Sequence, residues 1–164
     1  MNKVIKTKGR AKTGAMKTAS FSFDSAALVK KLLSAAPERA RGVLVRRFGL
    51  GANPERETLE SIGDRTGITR ERVRQIEAAG LSAVCASKAF KEAGAAFGEL
   101  SRYVDSLGAI VPEGALLSLL GKNEKIRNRF RFFLVVDSAF FRERETNDFL
   151  AHWHVDSVTA KHIR

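Results

Sequence analysis

Apolar residues recur at helical spacing through the first half of the chain, and this predicts four helices. Leucines follow that spacing between Asp24 and Pro37, where the first helix must end because proline cannot continue it. Turn residues fill positions 49–54. The other three helices are predicted over Glu38–Phe48, about Leu59–Arg65, and Arg70 to at least Ile76.

The second half begins with the same helical spacing and then changes period. Helices are predicted over Ala89–Leu107, Glu113–Leu120 and Asn123–Val136. Two-residue alternation then predicts strands over Ala139–Arg144 and Asp148–Val155, joined by a turn at 145–147. Three helices followed by a hairpin is the order of a winged helix. The predicted fold class is therefore mostly α: a four-helix domain with a helix-turn-helix, then a small α+β winged-helix-like domain with a C-terminal β-hairpin.

Charge points to a polyanionic partner. The 164 residues include 29 Lys and Arg against 18 Asp and Glu, for a net charge of +11. Such a balance favours nucleic acid above other partners. Residues 1–20 contain six basic residues and no acid, so we predict a disordered basic arm over residues 1–22. Two interpretations remain open here, an arm that follows phosphates and a merely solvated tail.

The cellular location is predicted from targeting and membrane-span patterns that the sequence lacks. No apolar run reaches the ~20 residues of a membrane span, and no signal-peptide core follows the N-terminus. The single cysteine, Cys85, suits a reducing compartment and is expected to be a small packed residue. We expect a cytoplasmic, nucleoid-associated protein without a membrane partner.

Residues 58–80 predict a helix-turn-helix. Thr58 and Thr69 stand where N-caps of two short helices belong. Gly67 supplies the positive φ of the turn between them, and Gly63 is small where the helices must cross closely. Apolar residues three positions apart give each helix one apolar face for packing. Two short helices packed at a steep angle are a DNA-binding motif.

The second of these helices carries the candidate base-reading side chains. Arginine bonds guanine O6 and N7, glutamine pairs with adenine, and glutamate accepts from cytosine N4. The alternative is a charged solvent face with Arg–Glu pairs inside the helix. The candidates are Arg70, Glu71, Arg72, Arg74 and Gln75.

Three stretches together resemble region four of bacterial primary sigma factors. They are Arg-Phe-Gly-Leu at 47–50, Thr-Leu-Glu-Ser-Ile-Gly at 58–63, and the run at 68–78, and the resemblance covers about residues 24–84. In that family the region reads the upstream promoter hexamer and docks on the flap of the RNA polymerase β subunit. The resemblance implies base-edge contacts by Arg70, Glu71 and Gln75. It implies phosphate or backbone contacts by Thr58, Thr69, Arg72 and Arg74.

Two departures from that family limit the expectation. Ala79 stands where the family usually has lysine, and Gly80 where it has alanine, which removes a contact near DNA and softens the helix end. The family's promoter-melting regions have no counterpart, so we do not expect a complete initiating sigma factor. Residues 158–164 resemble the start of a further helix, as in a fragment of a longer protein.

The predicted winged helix at 87–157 resembles modules fused to sigma-like segments in bacterial regulators, including the one in the polymerase delta subunit. Its basic residues predict either added phosphate contacts or a solvated face on a protein-docking domain. Its phenylalanines and Trp153 are expected in the core. The candidate DNA contacts of this module are Arg127, Arg129 and Arg131, with Arg142 and Arg144 on the wing.

Catalytic and metal chemistry find no support. His152 and His154 share a strand face, but only His162 remains as a third imidazole and no acidic cluster joins them. No nucleophile–base pair, phosphate loop or paired carboxylates are present. We therefore predict no enzyme, cofactor or metal.

The predicted function is a sequence-specific regulator that binds double-stranded DNA through a sigma-like recognition helix. The alternative is a module that docks on RNA polymerase core, with DNA contact secondary. The predicted domains are the arm at 1–22, the sigma-like helix-turn-helix at 23–86, the winged-helix-like domain at 87–157 and the tail at 158–164.

Overall fold

The structure, a computed structural model, describes residues 17–146 and 150–155. Within them lie eight helices and three short strands. The helices are α1 Ser25–Ser34, α2 Glu38–Phe48, α3 Leu59–Thr66, α4 Arg70–Cys85, α5 Lys88–Glu92, α6 Gly94–Ser106, α7 Glu113–Leu120 and α8 Glu124–Val136. The strands are β1 Val111–Pro112, β2 Phe141–Glu143 and β3 His152–His154. Most of the predicted basic arm, the end of the predicted turn at 147 and the tail at 158–164 lie outside the described residues.

The predicted fold class is confirmed: the chain is mostly helical and ends in a small antiparallel sheet. The strands lie in the order β1-β3-β2, with Val111 opposite Trp153 and Phe141 opposite His154. β1 was not predicted, because two residues ending in proline show no alternation of apolar and polar positions. The predicted two-sided alternation of the last strand is not observed, since His152, Trp153 and His154 are all buried in the central strand.

One helix reaches well beyond its minimum predicted end, and another is divided in two. α4 continues past Ile76 and through Gly80 to Cys85, because Gly80 is buried against α2 and packing outweighs its poor helix propensity. The single helix predicted over Ala89–Leu107 is two helices. Ser87 caps α5 through Phe90 N, and the Ala93 N–H bonds the carbonyls of both Ala89 and Phe90, which closes that helix in a tight turn before α6.

Helix α8 lies at the centre of the molecule. The sequence predicts one apolar face, but most residues in the last half of α8 are buried, and Val135 is exposed at 40%. Phe132 packs edge-on against Phe48 of α2 at 5.4 Å between ring centroids. Phe133 packs against Phe97 of α6 at 5.9 Å. One hydrophobic cluster thus crosses the predicted boundary at 86–87, and the division into two domains stays a prediction.

Asn128 fixes α8 to the loop that enters the helix-turn-helix. Its side chain is fully buried, and Nδ2 donates to the carbonyls of Gly49 at 3.1 Å and Pro54 at 2.7 Å. Its Oδ1 accepts from Arg131 Nη1 at 2.6 Å. The amide therefore satisfies two carbonyls that α2 and its loop leave unpaired.

Residues 17–24 form an N-terminal segment that crosses the second half of the chain. Ala19 N donates to Leu119 O at 2.7 Å, and Ser22 bonds the carboxylate of Glu99 through its amide and hydroxyl. The Phe21 ring lies 5.2 Å from that of Phe130. Residues 17–22, assigned to the basic arm from sequence, pack on the core because this aromatic ring brings them there.

We expect Asn128→Asp to lower the free energy of unfolding by about 2–4 kcal/mol, because a carboxylate oxygen would replace the amide N–H facing two carbonyls. Asn123→Asp is the matched control. Asn123 caps α8 by accepting from Ile126 N at 3.0 Å, a role aspartate performs equally well. Urea denaturation of both variants checks this, and equal stabilities would contradict the assigned role of Asn128.

Candidate nucleic-acid interface

The two predicted N-caps are confirmed and fix where each helix begins. Thr58 Oγ1 accepts from Ser61 N, and Thr69 Oγ1 accepts from Arg72 N, both at 3.1 Å. Gly67 ends α3 at φ 70°, and its N–H donates to Gly63 O. Because the turn and both caps are set by local hydrogen bonds, Arg70 becomes the first residue of α4.

A small core holds the two helices on α2. It contains Ile62 of α3, with Val73 and Ile76 of α4, and α2 contributes Ala40 and Val43. Leu59 and Ile68 pack on its edge. The apolar positions predicted from spacing are therefore the ones that pack. Val73 and Ile76 face this core, and the other side of the first two turns of α4 faces solvent.

Close backbone approach explains Gly63 and Gly80. A Cβ on Gly63 would lie 2.7 Å from Ile68 O, and one on Gly80 would lie 2.9 Å from the Ala40 Cβ. Gly63 lets the turn fold back on α3, as the sequence predicts. Gly80 lets α4 cross α2 closely, a packing role that sequence reasoning missed.

The five candidate side chains of α4 share one exposed surface. Glu71 accepts from Arg74 Nε at 2.9 Å and Nη2 at 2.7 Å. Arg72 Nη1 donates to Gln75 Oε1 at 3.1 Å. The intrahelical pairs of the alternative interpretation therefore exist. Exposed pairs of this kind are worth under about 1 kcal/mol, so a stronger partner can displace them.

The Glu71–Arg74 pair stays ionised. The hydrogen bond from Arg74 lowers the pKa of the Glu71 carboxyl, and the same bond raises the pKa of Arg74. Both groups therefore carry full charge at neutral pH. Arg70 has no side-chain bond to another described residue, so its guanidinium is available to an external acceptor.

The three candidate arginines of α8 have partners within the protein. Arg127 Nε donates to Gly121 O at 2.9 Å, and Arg129 Nη1 donates to Ser25 Oγ at 3.2 Å. The Arg131 side chain is 14% exposed and lies 3.6 Å from Glu124 Oε1. The structure does not add them to the exposed surface of α4. On the wing, Arg142 pairs with Glu113.

Sequence reasoning missed the pair formed by Arg47 of α2 and Glu77 of α4. Arg47 Nε lies 3.2 Å from Glu77 Oε1, and Arg47 Nη1 donates to Glu57 O. Burial raises the pKa of the Glu77 carboxyl, and the charge of Arg47 opposes that rise only in part. Their positions, thirty residues apart, give no local signal of the pairing.

The described residues show no site for a metal. His152 and His154 are buried with ring centroids 6.2 Å apart. Across 17–146 and 150–155 no three His, Cys, Asp or Glu residues are placed to hold an ion. Nor is any helix in that part of the chain long and apolar enough to cross a membrane.

Comparison with known proteins finds similarity in the segment that contains the helix-turn-helix. Residues 32–84 match the family described as sigma-70, region 4. The RNA polymerase sigma factor RpoS of Coxiella burnetii is 49% identical over 49 residues, which cover 30% of this chain and 14% of the relative. The sigma factor RpoD of Helicobacter pylori is 41% identical over 58 residues, covering 35% and 9%. The resemblance predicted for this segment is confirmed, and it spans a small part of those relatives.

We expect Gly63→Ala to lower the free energy of unfolding by about 1–3 kcal/mol, because the new methyl meets the Ile68 carbonyl. Gly42→Ala is the matched control. Gly42 is exposed within α2 with no atom near its Cβ position, so alanine should stabilise the helix by about 0.5–1 kcal/mol. Thermal unfolding of both variants tests whether Gly63→Ala lowers Tm and Gly42→Ala raises it.

We expect Glu77→Gln to raise the free energy of unfolding near neutral pH. The raised pKa of the folded carboxyl means that its charged form is less favourable folded than unfolded. That cost is present above the folded pKa and disappears below the unfolded one, so the gain should shrink toward about pH 4.

Glu71→Gln should change the free energy of unfolding in the opposite direction. The pKa of Glu71 is lowered in the folded chain, so this variant should be slightly less stable at neutral pH, with the difference vanishing as pH falls. Urea titrations at both pH values compare the variants. A neutral-pH loss for Glu77→Gln would show that the Arg47 ion pair outweighs burial.

Proposed function

We propose that this protein is a sequence-specific transcription regulator that binds double-stranded DNA with α4 in the major groove. The observation that carries the proposal is the exposed, capped start of α4 within a segment that matches sigma-70 region 4. A recognition helix inserts its N-terminal residues deepest, and those are the exposed polar ones here. The proposal assigns the chain no catalytic step.

Each side chain of this surface has a proposed role. Arg70 bonds guanine, Gln75 adenine and Glu71 a cytosine amino group. Each good bidentate base contact is worth about 1–3 kcal/mol of discrimination, more than the exposed pairs it replaces. The phosphate contacts are proposed for Thr58, Thr69, Arg72 and Arg74.

The arginines of α8 act differently in this proposal. Arg127, Arg129 and Arg131 are already bonded within the protein, so their charges favour DNA through the field of the molecule. The net charge of +11 supports the same long-range attraction. We propose that the protein is cytoplasmic and associates with the nucleoid. The lack of promoter-melting regions stays a prediction of the sequence.

Docking on RNA polymerase core, at the β-subunit flap, is the second candidate. The relatives are RNA polymerase sigma factors by name. Ala79 is exposed on α4 where the resembled family usually has a lysine near DNA, which favours a protein partner over DNA. In this case the fold of residues 32–84 is retained for docking.

We expect selection of bound sequences from random duplex DNA to enrich one short motif. Arg70→Ala and Gln75→Ala should each relax preference at one position, with a loss of about tenfold in discrimination there. Arg102→Ala on α6 is the control, since it removes the same charge from an exposed site away from α4. A selected motif unchanged in Arg70→Ala would overturn the assignment of α4.

The same selection distinguishes the second candidate. It is run with and without core polymerase, and retained DNA is titrated with salt. Purely electrostatic binding falls steeply with salt and shows no preference over scrambled DNA. Tight capture of core polymerase with no enriched motif in either condition would favour docking.

A further inference from the structure

A cleft of about 420 Å³ lies between the helix-turn-helix and the second half of the chain. Four arginines from separate elements line it: Arg47 of α2, Arg56 of the loop before α3, Arg131 of α8 and Arg142 of β2. We call it the arginine cleft. Neither the recognition surface of α4 nor the comparisons account for it.

Charge in the arginine cleft is not balanced by its own acids. Glu77 and Glu113 are the two carboxylates of its lining, and they pair with Arg47 and Arg142. Arg56 has no side-chain partner among the described residues. Burial first, and then the charge of Arg56, lower the pKa of Arg131. Arginine nevertheless stays protonated. Glu124, outside the lining, lies 3.6 Å from Arg131, so Arg56 is the arginine of the cleft that has no carboxylate partner among the described residues.

Buried donors in the lining also lack acceptors. Trp153 is 2% exposed, and its Nε1–H has no hydrogen-bond partner. The Nε–H of Arg131 is also buried without a hydrogen bond. The Arg47 Nε, by contrast, faces the Glu77 carboxylate at 3.2 Å. Leaving a buried donor unsatisfied is costly, and two such donors in one lining require a reason. An acceptor-rich anion in the cleft would supply it when these side chains turn toward the cleft on binding.

We propose that the arginine cleft binds the phosphate groups of a small ligand, a diphosphate or a nucleotide. A phosphate group would pair the free charge of Arg56, and its oxygens accept from several guanidinium forks at once. The volume lies in the range of small-molecule sites. A DNA backbone is the poorer occupant, because a rigid duplex does not reach donors buried as deeply as Arg131 and Trp153.

Such a ligand would join the two halves of the molecule. It would bond Arg47 and Arg56 on the helix-turn-helix side, and Arg131 and Arg142 on the other. It would also compete with Glu77 of the recognition helix for Arg47. Ligand binding in the cleft would thereby act on α4 through the side chain of Glu77.

Thermal unfolding and calorimetry of the full chain test the proposal, with inorganic pyrophosphate, ADP, ATP and adenosine at constant ionic strength. Pyrophosphate and the nucleotides should raise Tm and bind at one site, whereas adenosine should do neither. Pyrophosphate binding as tightly as ATP would identify the phosphates alone as the ligand chemistry. Tighter binding of ATP would identify a nucleotide.

Three variants locate the site. Arg56→Glu, an exposed change that leaves the core intact, should weaken pyrophosphate binding by about tenfold or more. Trp153→Phe should also weaken it, by removing the orphaned donor while keeping an aromatic ring. Glu77→Gln should strengthen it, because Arg47 loses its competing carboxylate. Arg102→Glu, the same charge reversal on α6, is the control and should leave binding unchanged.

Two outcomes overturn the proposal. One is an equal effect of Arg56→Glu and Arg102→Glu, or a Tm rise with sodium chloride equal to that with pyrophosphate, which would mean general charge screening. The other is loss of duplex DNA binding in Arg56→Glu with pyrophosphate binding unaltered, which would assign Arg56 to the DNA backbone. Far-ultraviolet circular dichroism confirms that each variant is folded.

Discussion

The central position of α8 between the two halves of the chain is the constraint around which this molecule is built. A helix whose phenylalanines face α2 and α6 at once can be covered only when both halves of the chain surround it. Apolar burial supplies the attraction but little directional information, because it is proportional to area. Asn128 adds the direction, since its amide must meet two particular carbonyls of the loop before α3. The register between α8 and the helix-turn-helix follows from that match.

Local signals were sufficient for the helix-turn-helix. Thr58, Gly67 and Thr69 act on residues within one turn of themselves, so their roles can be read from the chain. The placement of α8 could not, because nothing near Phe132 indicates that its partner is Phe48. The strand β1 was missed for the same reason: its two residues become a strand only because β3 lies beside them. Long-range partners decide such elements, and a single sequence does not state them.

The arginines show the same division between local and distant information. Charge and spacing placed the exposed side chains of α4 correctly on one surface. The same reasoning treated Arg127, Arg129 and Arg131 as surface charges, yet each is bonded to another part of the fold. A basic residue on an amphipathic helix has the same sequence signature whether it faces solvent or a carbonyl. Only the tertiary partner separates the two cases, as it does for Arg47 and Glu77.

The N-terminal segment and α8 also determine the order in which the molecule can assemble during synthesis. Ser22 leaves the ribosome long before its partner Glu99, and Phe21 before Phe130. Until α8 emerges, the apolar surfaces of α1 and α2 that will cover it face water. The first half of the nascent chain therefore exposes apolar surface until the last third is synthesised, a condition that favours aggregation during folding.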